Sequence, residues 1–141
     1  KIVMRRPSRL KITYDGVPAI NLITTSVWLH VDQPDEHRVT SYPISETPLS
    51  LILTDPVSLR PAGYQTIVTA RAGGVMQIAI NKDNGEGAGR LTLEFTDRPF
   101  QLRRWIVEDV AGVKTSVTLQ NMAFGLPVEN VEFRLPNYLN Q

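Results

Sequence analysis

Residues 100–136 constrain the fold of this chain more than any other stretch. Over 101–109 apolar and polar residues alternate around Trp105, and over 114–121 they alternate again around Val117 and Leu119. A period of two puts one face of each run in a core and the other in water; the intervening 110–113, with Gly112, reads as a turn, so the pair predicts a β-hairpin. The segments that follow, 124–128 and 131–136, are interrupted by Gly125, Pro127 and Pro136. They are too broken for a helix and too apolar for a free tail, and are expected to pack on the sheet.

The same pattern recurs upstream. Short β-like runs at 9–15, 19–25, 27–32 and 38–44 are divided by Asp15-Gly16, Thr25-Ser26 and the polar turn 33–37, and further runs occupy 65–71, 75–82 and 90–96. Gly73-Gly74 reads as a tight turn and the Gly-rich 83–89 as a longer one. With the hairpin this makes about nine strands, and Lys1-Ile2-Val3-Met4 already reads as the inside of another. One segment differs. In 45–55, Thr47 can cap a helix, Pro48 suits its first position, Leu49, Ile52 and Leu53 share a face, and Pro56 stops the run. Residues 55–64, with Pro56 and Pro61, read as a loop with room for a second helical turn. A long antiparallel meander with one apolar helix inserted is an α+β pattern in which a strongly curved sheet can wrap the helix.

Composition narrows the function classes. A chain of 141 residues, 42% apolar and 21% charged, has material for one sizeable core, and a single domain is the expectation. The formal charge of +1 exerts no general pull on nucleic acid, and Arg5, Arg6 and Arg9 form only a local cluster. There is no cysteine, so neither disulfides nor cysteine-based zinc sites arise. No run approaches the roughly 20 apolar residues of a membrane-spanning helix.

Catalysis finds little support. His30 and His37 are read as structural, His37 in a solvated turn. The carboxylates Asp32, Asp35, Glu36, Glu94, Glu108 and Asp109 are read as solvent-facing. No serine sits in a Gly-x-Ser-x-Gly elbow, and 84–89 lacks the Gly-Lys-Ser/Thr ending of a phosphate loop. Trp28 and Trp105 are read as packing anchors. Alternation places Arg103 and Arg104 on opposite sides of their strand, so no basic stripe forms. Binding is better supported. Leu10, Ile12 and Tyr14 share a strand face, as do Ile20 and Leu22, Leu91, Leu93 and Phe95, and Val117 and Leu119; such residues fill a core or line a cavity.

The order of these pieces resembles the LolA family, the periplasmic carriers of bacterial lipoproteins. The resemblance lies in Arg6-Pro7 before the alternating strand 8–15, the Trp28-centred strand 26–32, the hairpin, and the closing Phe124-Gly125-Leu126-Pro127 and Phe133-Arg134-Leu135-Pro136. It implies an unclosed half-barrel of antiparallel strands with a helical lid, the family's N-terminal helix and first strands being absent here or lying upstream. It implies that the apolar concave face (Leu10, Ile12, Tyr14, Ile20, Leu22, Leu91, Leu93, Phe95, Val117, Leu119) and the lid residues Leu49, Ile52 and Leu53 accept acyl chains, with no cofactor or metal. Its partners would be acylated lipoproteins as cargo, an inner-membrane lipoprotein-releasing ABC transporter and an outer-membrane lipoprotein receptor. It also implies that Arg6 holds the lid by hydrogen-bonding helix carbonyls, a task suited to the planar five-donor guanidinium, whereas Arg5 is expected to matter little. The alternatives are a LolB-like outer-membrane receptor and a lipoprotein-sensing regulatory domain on the same fold.

Overall fold

The structure, a computed structural model, describes residues 1–47, 49–82, 89–108 and 111–138. Their contacts form two compact units, Lys1–Val57 with Gly125–Gln141, and Ser58–Phe124.

The first unit carries a five-stranded antiparallel meander, β1 (Ile2–Arg5), β2 (Arg9–Tyr14), β3 (Ile20–Thr24), β4 (Trp28–Gln33) and β5 (Arg38–Pro43), paired in chain order. A 3-10 turn, Pro34–Glu36, joins β4 to β5, and His37 closes it at φ 49°, a left-handed conformation that histidine tolerates better than most residues. Thr24 fixes the start of the sheet, because its buried hydroxyl donates to the Ser8 carbonyl at 2.6 Å and accepts from the Leu10 amide at 2.8 Å. After β5 the chain forms a short helix, α1 (Leu49–Leu53). Pro48 lies outside the described residues, and the Thr47 hydroxyl donates back to the Ile44 carbonyl at 2.8 Å. Leu51 is buried along with Leu49, Ile52 and Leu53, so burial reaches beyond the face those three share, while polar Ser50 is half-buried.

The second unit holds another five-stranded antiparallel meander, β6 (Tyr64–Ala72), β7 (Val75–Lys82), β8 (Arg90–Thr96), β9 (Gln101–Glu108) and β10 (Lys114–Thr118). The β6–β7 hairpin turns on Gly73 and Gly74, both at positive φ (56° and 74°), the geometry that a two-residue turn between twisted strands demands and that glycine alone adopts without strain. Residues 83–88, 109 and 110, read above as turn or strand end, lie outside the described residues.

The α+β pattern and the strand positions agree with the expectation, with Ile2–Arg5 as a tenth strand. Two features differ. The strands hydrogen-bond in two sheets, neither closed, because the connection from β5 to β6 runs through α1 and a proline-punctuated loop and makes no strand pair. The expected helical lid is one five-residue helix.

Candidate functional site

In the first sheet, alternation and register assemble one apolar face. Ile12 lies opposite Leu22 and Tyr14 opposite Ile20 on β2 and β3, and Leu22 is continued by Val31 on β4. Leu10 and Ile12 are buried, Ile20 and Leu22 half-buried, and Tyr14 is more open, at 38% exposure. In the second sheet a single row crosses all five strands: Val68, Ile78, Leu93, Trp105 and Val117 are successive register partners. Beside it run Ile80, Leu91 and Val107, and then Met76, Phe95 and Leu102. Leu91, Leu93, Phe95 and Trp105 are buried, and Val117 is half-buried. Leu119 falls one residue past β10, its amide still donating to the Arg103 carbonyl at 2.8 Å. Each sheet therefore offers one continuous apolar face. Phe95 is extended by Phe100, stacked on it at 4.7 Å between ring centroids.

Around the β1–β2 turn the two adjacent arginines do different things. Arg6 Nε donates to the Ile52 carbonyl of α1 at 3.2 Å, and the Ser8 amide donates to the Leu53 carbonyl at 3.1 Å. The helix end is thus tied to the turn by one side-chain and one main-chain bond. Arg5 points to the chain's last segment: Nη1 donates to the Val128 carbonyl at 2.7 Å, Nη2 to Asn130 Oδ1, and the guanidinium lies 5.6 Å from the Phe133 ring centroid. Arg5 is therefore an anchor, contrary to the expectation that it matters little.

That last segment packs less than its composition suggests. Phe133, in the 3-10 turn Asn130–Phe133 that lies against β2, is buried, but Phe124 and Leu126 are 73% and 65% exposed and Val131 is exposed as well. Extended chain interrupted by Gly125 and Pro127 makes no ladder that would press those side chains onto a sheet.

Several polar readings change. Asp32 is buried rather than solvent-facing, accepting from Asn21 Nδ2 at 2.8 Å and from the Tyr138 hydroxyl. The bond to Asp32, with burial, pushes the Tyr138 phenol up to about 12, and His37 meets the same ring edge-on at 5.2 Å. Glu94 is also buried. It accepts from Gln77 Nε2 at 2.9 Å and Arg104 Nη2 at 2.6 Å, and Arg103 Nε stands 3.6 Å away. Those bonds, Gln77 first, hold its carboxyl below the usual range against the opposing effect of burial. Arg103 and Arg104 converge on this one carboxylate because β9 bulges there, Glu94 pairing with Arg104 but Phe95 with Leu102; the extra residue breaks strict alternation. His30 is buried, its Nδ1 2.7 Å from Ser41 Oγ and its Nε2 without a partner among the described residues, and burial lowers its pKa. Trp105 is a core anchor as expected. Trp28 is not, being 44% exposed at the end of β4 opposite Pro43 of the edge strand.

The family model described as "Outer membrane lipoprotein carrier protein LolA" matches residues 1–136. No curated protein matches the chain.

Proposed function

This chain belongs to the LolA family of outer membrane lipoprotein carriers, and on that premise we propose that it binds the acyl chains of lipoproteins on the apolar faces of its sheets and carries them through the periplasm. Cargo would come from an inner-membrane lipoprotein-releasing ABC transporter and go to an outer-membrane receptor, with residues 1–141 serving as one carrier domain. The family is one of carriers rather than enzymes.

The observation that supports this reading best is the uninterrupted apolar row Val68, Ile78, Leu93, Trp105 and Val117, flanked on both sides by further aliphatic and aromatic residues. An acyl chain gains about 0.8 kcal/mol per methylene removed from water, so a carrier needs a long dry surface rather than one specific contact. Leu10, Ile12, Tyr14, Ile20 and Leu22 would supply such a surface in the first unit, with Leu49, Ile52 and Leu53 covering part of it, and Leu91, Leu93, Phe95, Val117 and Leu119 would supply another in the second unit. Arg6 would act as the latch, its bond to the Ile52 carbonyl holding α1 in the empty state and yielding when acyl chains displace the helix. A ligand shifts such a balance only through its differential affinity for the two states.

The test is a hand-over: load the protein with one acylated lipoprotein, add the purified outer-membrane receptor, and follow the cargo. Transfer of the intact lipoprotein is expected. A protein that never takes up the cargo, or takes up its deacylated form equally well, would refute the reading.

A further inference from the structure

Four strands end the two sheets, and three of them carry the features that keep sheet edges from pairing with foreign strands. β1 is only four residues long, flanked by Lys1 and ending in Arg5. β5 begins at Arg38 and ends at Pro43. β10 has five residues and opens on Lys114, which is paired with Glu108. β6 is different. It is nine residues long and uncharged from Tyr64 to Ala70, and its first five residues pair regularly with β7 before a bulge at Thr69. Gln65, Ile67 and Val68 are exposed, so two apolar side chains, one on each face, stand in water beside an edge to which no other described strand is bonded.

We propose that β6 is a self-association edge, which pairs antiparallel with β6 of a second copy of this chain about a two-fold axis at Thr66. Antiparallel pairing preserves the faces of the sheet, so the partners directly opposite must have the same parity. With Thr66 opposite itself, Tyr64 faces Val68 and Gln65 faces Ile67 on both sides of the axis. Each is a favourable or neutral cross-strand pair, the aromatic with β-branched one most of all, and no charge opposes its own copy. The same operation on β1 would set Lys1 against Arg5, a like-charge pair. The joined sheet would run through ten strands, and the bulge at Thr69 would limit the contact to about five residues a side, some 17 Å of edge. An interface of that extent lies below the roughly 1,200 Å² of a standard complex, so the association is weak and depends on concentration.

Sedimentation of the 141-residue chain over rising concentration should show a reversible monomer–dimer equilibrium. Ile67→Lys places like charges near each other at the two-fold and should abolish it, while Val17→Lys, at a fully exposed turn residue of the other unit, should leave it unchanged. Because the chain has no cysteine, Thr66→Cys provides a second readout that is independent of how Ile67→Lys folds: with oxidised glutathione as electron acceptor it should form a disulfide dimer well ahead of Val17→Cys. A wild-type chain that stays monomeric at the highest concentration, association that survives in folded Ile67→Lys, or cross-linking of Thr66→Cys no faster than Val17→Cys would each overturn the proposal.

Discussion

Arg5 and Arg6 are neighbours that hold different parts of the molecule, and their substitution should separate accordingly. Arg6→Leu removes one charge-assisted bond to the Ile52 carbonyl; because the side chain is exposed, the loss is about 1 kcal/mol, at the low end of such bonds. If that bond is the latch, the variant should bind acylated cargo several-fold more tightly and release it less well to the receptor, with Arg6→Lys between. Arg98→Leu, at a solvated arginine, is the control; equal transfer by all variants would show that no latch exists. Arg5→Leu should instead free the closing segment, speeding amide exchange there and costing about 1–3 kcal/mol. At His30 the sign follows from burial. The folded-state pKa lies below 6.5, so the unfolded chain takes the proton first. This contribution to stability is whole above pH 6.5 and is lost as pH falls through the folded value. Urea titrations of wild type and His30→Gln should therefore converge on acidification, and parallel curves would contradict the assignment.

At the scale of elements, the β8–β9 pair shows what a sequence conceals. Since period-two apolar patterning and Gly or Pro turns are local signals, alternation placed the strands within a residue or two, except that the last ends at Thr118, three residues short of its expected end. The bulge at Arg103 is a property of register, which depends on the partner strand, and so the convergence of two arginines on Glu94 was not readable from β9 alone. Burial of Asp32 was hidden for a related reason: its partner Tyr138 lies 106 residues away. The Arg6 contact with α1, by contrast, was anticipated through family resemblance, but with one carbonyl rather than several. The Glu94 cluster carries a stability prediction. Its depressed pKa means a contribution present above the unfolded carboxyl value near 4.5 and lost as pH falls through the folded one. Glu94→Gln should cost about 1.5–3 kcal/mol at neutral pH by stripping the two arginines of their partner, and should flatten the acid limb of the stability profile. An unchanged acid limb would show that the cluster is not coupled to folding.

For the molecule as a whole, the proposed function gives the apolar faces two duties, holding the sheets folded and receiving cargo, and single substitutions can tell them apart. Trp105, buried within the five-strand row between Leu93 and Val117, should behave as core: Trp105→Ala is expected to lower stability by about 3–5 kcal/mol whether or not lipid is present. Half-buried Leu22 and Val117 should behave as surface that cargo completes, so Leu22→Asp and Val117→Asp should weaken acyl binding far more than they change the melting temperature. The central claim, that this chain holds acyl chains, is tested most directly by titrating an environment-sensitive fluorescent acyl probe with the folded protein and then displacing it with a triacylated lipopeptide. Saturable probe binding, full displacement by the lipopeptide and none by the same peptide without its acyl chains are expected. A flat titration with folded protein, or displacement by the unacylated peptide, would contradict the claim.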